Sequence, residues 1–309
     1  MPAWTADPDV ARAMRYANVD ELCITRRRFR GRWVYLDDTG ARITDPAMVE
    51  RLDRIGLPPA YADARFAPAE DLHIQAVGID ARGRRQYVYH PGYVALRDAR
   101  KFDACAGFGH LLSRMRARVE RDIAGPGLSR ERAVASIVRL LDSGRIRVGN
   151  ESYARANGSF GATTLRRRHA RLKGRRLTLC FRAKSGRLCR LGIADRSLIR
   201  FVRRMQDLPG QHLFQYRGED GHFHPVTSTD VNAYVQEVMG GGYAAKDFRT
   251  WRASVLAFEW LRQAPAPIRL GELLEHVAQH LGNTPAVARK ASIHPALSAL
   301  ARAGSAQGL

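Results

Sequence analysis

The chain is 309 residues long, 45% of them apolar, and carries 51 Lys+Arg against 30 Asp+Glu, a formal net charge of +21. That apolar fraction suffices for one large packed domain or two modest ones and excludes a mostly disordered chain despite the charge. No run approaches the roughly 18 to 20 apolar residues of a membrane span. The opening Met1-Pro2-Ala3-Trp4-Thr5-Ala6-Asp7 lacks the basic-then-apolar order of a secretory signal, so a cytoplasmic protein is expected.

In chain order, the first hundred residues read as short strands and turns. Trp33-Val34-Tyr35-Leu36 runs into Asp37-Asp38-Thr39-Gly40, a hairpin signal, and a short helix is expected over Pro46 to Leu52. A second hairpin is expected where Asp80-Ala81-Arg82-Gly83 joins His73–Gly78 to Gln86–His90. From about Phe102 the pattern becomes helical. Ser129 is placed to cap a helix with Val134, Ile137, Val138 and Leu141 on one face and Gly144 at its end. Further helices are expected over Leu198 to Met205, Thr229 to Met239, Val255 to Leu261, Leu270 to Leu281 and Ala286 to Lys290. Leu177 to Ala183 and Leu188 to Ile193 alternate like strands around the turn Lys184-Ser185-Gly186. Gln263-Ala264-Pro265-Ala266-Pro267 breaks a helix, and the small, polar tail Ala301 to Leu309 is expected to fray. The class is α+β: a small N-terminal antiparallel-sheet domain, residues 1–98, then a mainly helical domain with a small β-hairpin sheet, residues 99–309.

The basic surplus is almost all arginine, 46 Arg to 5 Lys. Arginine is always ionised and forks onto phosphate oxygens, so a polyanion is implied and nucleic acid is the first candidate. Base composition of a genome can trade Lys for Arg but does not create an excess over acids. The cysteines, Cys23, Cys105, Cys180 and Cys189, form no CxxC pair and no zinc-type spacing, so no metal site is expected. Cys180 and Cys189 flank the expected hairpin and are placed to face each other as thiols.

Several segments are not explained by packing: Arg147-Val148-Gly149-Asn150-Glu151-Ser152-Tyr153, Thr163-Thr164-Leu165-Arg166, the basic run through Arg167 and Arg168, Phe181-Arg182-Ala183-Lys184-Ser185-Gly186, Lys246-Asp247-Phe248-Arg249-Thr250-Trp251 and Leu281-Gly282-Asn283-Thr284-Pro285. With Ile24-Thr25-Arg26-Arg27-Arg28 and Gly83-Arg84-Arg85-Gln86-Tyr87-Val88-Tyr89-His90, their order resembles the bacterial and poxvirus-like type IB DNA topoisomerases over about Thr25 to Pro295. The resemblance implies a topoisomerase IB and tyrosine recombinase-like catalytic domain and a monomer that grips double-stranded DNA. It also implies relaxation of supercoils through a 3′-phosphotyrosyl link, on the nucleoid, with no ATP, metal or other cofactor. Carried over by position, Arg147 and Arg249 are the phosphate-binding arginines, Lys184 the general acid and Asn283 a neutral donor to the phosphate. Gln86, Tyr87, Tyr89, Asn150, Tyr153, Arg166 and Arg167 fall at or beside DNA contacts.

Two departures stand out. The family tyrosine lies nine residues after the Asn283 position, which is Ser292 in Ser292-Ile293-His294-Pro295, and no Tyr follows Tyr243. A serine oxygen falls about 4 Å short of a tyrosine hydroxyl, and no neighbouring base is evident to activate it. Cleavage by this chain is therefore expected to be deficient. Three explanations stay open: a substitution introduced to trap a non-covalent state, a natural pseudo-enzyme, or a Ser292 that acts after its helix shifts. The 34 positions from Arg249 to Asn283 are also fewer than the family's by about two helical turns, which threatens the placement of Asn283 and Ser292. The alternatives to a topoisomerase scaffold are a non-catalytic duplex-binding pseudo-topoisomerase and a tyrosine recombinase relative.

Overall fold

The computed structural model describes residues 14–264 and 268–304. The chain divides into two compact units between Lys101 and Phe102.

The first unit holds a five-stranded antiparallel sheet: β1 (Ile24–Phe29), β2 (Arg32–Leu36), β3 (Ala62–Phe66), β4 (Ile74–Ile79) and β5 (Arg85–Tyr89), in the order β2-β1-β3-β4-β5. β1 and β2 are joined through Arg30 and Gly31, with φ of 47° and 81°, two successive left-handed residues of the kind that close a two-residue hairpin. The hairpin thus lies before Trp33, not after Leu36. The expected Asp37 to Gly40 turn forms, with Asp37 Oδ1 accepting from the Thr39 and Ala41 amides, but it leads only to an isolated bridge between Leu36 and Arg42. The Asp80 to Gly83 turn joins β4 and β5 as expected, its Gly83 amide donating to the Asp80 carbonyl. Helix α1 (Pro46–Arg54) is capped by Asp45 and buries Leu52 in a cluster with Ile24, Tyr35, Phe66 and Ala76.

Helix α2 (Pro91–Ala124) starts earlier than its apolar pattern suggested, and the boundary expected after residue 98 lies inside it. In the second unit, Ser129 caps α3 (Arg130–Asp142) by accepting from the Arg132 amide. There follow α4 (Glu151–Asn157), a sheet of β6 (Ala170–Lys173), β7 (Arg176–Arg182) and β8 (Leu188–Ile193), α5 (Arg196–Gln206), the short pair β9 (Gln215–Arg217) and β10 (Phe223–Pro225), and α6 (Ser228–Met239). The chain continues through α7 (Ala245–Gln263), α8 (Leu270–Leu281), α9 (Pro285–Ala291) and α10 (Pro295–Arg302). The main core gathers Phe108, Leu112 and Met115 of α2, Ile137 and Leu141 of α3, and Phe201, Phe214 and Phe248. A second cluster packs α7 on α8 through Leu256, Leu273 and Val277, with Ile293.

Three readings need correction or placement. Cys180 lies opposite Arg190 and Cys189 opposite Phe181, so neighbouring registers turn the two thiols to opposite faces of the hairpin. Ala301 and Arg302 close α10 rather than fray, while residues 305–309 lie outside the described part. α7 ends at Gln263 where a break was expected, and residues 265–267, like the N-terminal heptapeptide, lie outside the described residues.

Candidate active site

Arg147 leaves the end of α3 on a loop pinned by its backbone. The Ala162 amide donates to the Arg147 carbonyl at 2.8 Å and the Thr163 amide to that of Val148 at 2.8 Å. The two loops meet glycine to glycine. A Cβ on Gly161 would stand 2.5 Å from the Gly149 nitrogen and 2.6 Å from the Arg147 carbonyl oxygen, and Gly149 itself has φ 94°. Only a residue without Cβ permits this approach.

Arg249, in the second turn of α7, donates from Nη1 to the Gly144 carbonyl at 3.0 Å and from Nη2 to the Leu281 carbonyl at 2.6 Å. It thereby joins the end of α3 to the end of α8, and the short connection from Arg249 still leaves the 281–283 turn against its guanidinium. Its buried Nε has no partner among the described residues. Burial, reinforced by the neighbouring Arg147, pushes Arg249 down to about 9, and burial likewise lowers Arg147. Among the described residues, no carboxylate forms an ion pair with either arginine. Two adjacent, half-buried cations without a counter-charge are costly to hold. An anion held by both guanidinium forks would relieve that cost.

Asn283 follows Gly282, which ends α8 at φ 62°. Asn283 is 8% exposed, and among the described residues neither its Oδ1 nor its Nδ2 has a partner. An unsatisfied buried amide is rare in folded proteins, and this one lies two residues past the carbonyl that holds Arg249. Arg187 Nη1 donates to the Asn283 carbonyl at 2.7 Å. Lys184 is exposed in the turn between β7 and β8, where Ser185 and Gly186 both take left-handed φ, at 65° and 73°. Ser292 ends α9, its amide bonded to the Ala288 carbonyl at 3.1 Å, and is 4% exposed. Next to it, the His294 amide donates to Ser254 Oγ of α7 at 3.1 Å. Hydrogen bonds and charge coupling thus join Arg147, Arg249, the Asn283 turn and the Lys184 turn in one neighbourhood. Among the described residues none of these bonds reaches Ser292.

The expected DNA contacts divide. Tyr87 is 39% exposed and stacks on Tyr89 with centroids 6.0 Å apart, and Arg97 lies over the Tyr89 ring. Tyr153 is 53% exposed. The other four are bonded within the fold. Gln86 Nε2 donates to Asp80 Oδ2 at 3.0 Å, and Asn150 Oδ1 caps α4 by accepting from the Tyr153 amide. Arg166 joins Glu151 and His212. Arg167 donates to the Gln206 carbonyl at 2.9 Å and to that of Leu208. Burial opposes ionisation of Glu151, but hydrogen bonds from Arg166 and His212 outweigh it and hold its carboxyl below the usual range. Sequence reasoning missed Arg187, indistinguishable among so many arginines, and Gly161, whose one signal is the small Gly161-Ala162 pair before Thr163-Thr164.

A family model described as the catalytic core of eukaryotic DNA topoisomerase I matches residues 91–304, more than half of the chain. The chain belongs to the type IB DNA topoisomerase family. A second family model, the N-terminal domain of bacterial DNA topoisomerase IB, matches residues 32–80. DNA topoisomerase 1B of Acanthamoeba polyphaga mimivirus is 29% identical over 259 residues, covering 79% of this chain and 77% of that protein. Among solved structures, the XerH site-specific recombinase bound to its palindromic difH substrate matches 59% of this chain and 47% of that chain, at 12% identity and a TM-score of 0.37. That likeness is too slight to argue from, and the topoisomerase family sets the recombinase alternative aside. Among the described residues, no helix is long and apolar enough to cross a membrane, and no group of three or more His, Cys, Asp or Glu is placed to hold a metal ion.

Proposed function

We propose that this chain grips duplex DNA as a monomer and seats one backbone phosphate on Arg147, Arg249 and Asn283, on a type IB topoisomerase scaffold whose cleavage step is disabled by Ser292. The first unit, up to Lys101, serves as a DNA-gripping part, with Tyr87 and Tyr89 toward the bases, and the second unit carries the phosphate chemistry. The observation that supports this most is the pair of adjacent, half-buried arginines that, among the described residues, pair with no carboxylate, next to a buried amide that has no partner there.

The chemistry follows from phosphoryl transfer. Attack at phosphorus adds negative charge to the non-bridging oxygens, and preorganised donors stabilise that charge best. Arg147 and Arg249 supply charged forks, Asn283 Nδ2 a neutral donor, and Lys184 a proton for the leaving 5′-oxygen. In the family reaction the nucleophile is a phenol. A phenol, with a pKa of about 10, ionises more readily than an alcohol, and Ser292 ends about 4 Å short of where a tyrosine oxygen would lie. Duplex binding therefore persists while the covalent link does not form.

The test restores the phenol. The unaltered chain should bind duplex DNA with steep salt dependence and yield no covalent adduct in denaturing gels. Ser292→Tyr should form a 3′-phosphotyrosyl adduct and relax a supercoiled plasmid without ATP or magnesium. A restored protein that binds duplex but never relaxes the plasmid overturns the latent active site.

A further inference from the structure

We propose that Arg187 is a positioning residue that couples the Lys184 turn to the Asn283 donor, a role that rests on the phosphate site above. Asn283 is the donor with the least support from its own side chain: both amide atoms are buried and neither has a partner among the described residues. Where its Nδ2 points is therefore set by the backbone that carries it. Besides the Gly282 amide bond to the Gln279 carbonyl at 3.3 Å, three bonds hold that turn. The Asn283 amide donates to the Ala278 carbonyl at 3.0 Å, Arg249 holds the Leu281 carbonyl, and Arg187 holds the Asn283 carbonyl itself.

The other end of Arg187 is fixed with equal economy. The Ala183 amide donates to the Arg187 carbonyl at 2.7 Å and the Gly186 amide to the Ala183 carbonyl at 3.1 Å, closing the loop that displays Lys184. Arg187 thus has its backbone in the general-acid turn and its guanidinium on the neutral-donor turn. It sets the spacing between the group that protonates the leaving oxygen and the group that steadies the phosphate. Misplacement of a catalytic group by about 1 Å can cost about 100-fold in rate, so this single bond acts on chemistry without touching DNA.

The experiment is a double-mutant cycle in the Ser292→Tyr protein, read by single-turnover formation of the covalent adduct. Arg187→Ala should slow adduct formation by about 10- to 100-fold while duplex affinity stays the same, and Arg187→Lys should restore part of the loss. In an Asn283→Ala background, Arg187→Ala should cost little more, because the donor it positions is gone. Additive losses, or an equal loss of duplex affinity, overturn the assignment and make Arg187 a plain phosphate contact. Should Ser292→Tyr form no adduct at all, the phosphate-site reading fails by itself. Amide exchange in the unaltered chain then decides the present inference: Arg187→Ala must lower protection at residues 281–284, and unchanged protection refutes it.

Discussion

The arginines at 166 and 167 and those at 147 and 249 are the same residue type in the same unit, yet they are employed in opposite ways. Of the first two, set in a dense basic run, Arg166 spends its charge on Glu151 beside His212, while Arg167 donates to the Gln206 and Leu208 carbonyls as Arg249 does to those of Gly144 and Leu281, so the contrast rests on Arg166. Arg147 and Arg249 are half-buried, Arg147 repels Arg249, and among the described residues neither forms an ion pair with a carboxylate. The density of basic residues along a chain therefore says little about which of them meets an outside anion. What singles out the pair proposed to bind phosphate is charge left without a carboxylate under partial burial, since such charge is expensive unless a ligand supplies its counterpart.

The largest effect that would test this contrast is at Arg249. In the Ser292→Tyr protein, Arg249→Ala should cut adduct formation by about 100- to 1,000-fold, the usual cost of one transition-state donor. Arg249→Lys keeps a charge but not the fork, and should remain well below the parent. A mild loss in both would mean the pair is structural. Arg166→Ala is expected to act on stability instead, lowering it by about 1 to 3 kcal/mol because Glu151 and His212 lose a charged partner. That loss is read by denaturant melts, and duplex affinity of the folded fraction should not change. A fall in affinity with unchanged stability would reverse the two roles.

The smallest effect is a pH slope. His169 is buried, its Nδ1 accepts the Arg166 amide at 3.1 Å, and burial with nearby Arg168 and Arg166 pushes it down to about 4. Above the ordinary value of 6.5 the ring is neutral in both folded and unfolded chains. As pH falls from there toward about 4, only the unfolded ring takes a proton, so stability drops across that window and levels off below it. Melts from about pH 7.5 to about pH 4.5 should show this slope, and His169→Gln, which keeps an acceptor, should flatten part of it. An unchanged slope in that variant would assign it to other histidines.

Much of this was legible in the residues alone. The Ser129 cap and apolar periodicity located the helix from Arg130 to Asp142, and periodicity alone located Leu270 to Leu281 and the middle of Arg196 to Gln206, read as Leu198 to Met205, because local signals suffice there. The β1–β2 hairpin was misplaced because Arg30-Gly31 lies within Arg26–Arg32, where charge hides the alternation that announces strands. The start of α2 was missed because Pro91 and Gly92 read as a turn, though proline suits the first turn of a helix. At the site, motif order picked out Arg147, Lys184, Arg249 and Asn283, but the internal bonds of Gln86, Asn150, Arg166 and Arg167 are facts of long-range pairing that no local pattern carries.

The contact between Gly149 and Gly161 has a consequence for how this site can change over time. Because the two backbones touch where side chains would be, Arg147 is aimed by an absence. A substitution at Gly161 would leave every group proposed to bind the phosphate in the chain and still turn Arg147 away. The protein would keep its appetite for DNA and lose its alignment. A lineage that has given up strand cleavage could tolerate that at position 161, and one that has kept it could not, so the residue standing there reports on which life a given relative leads.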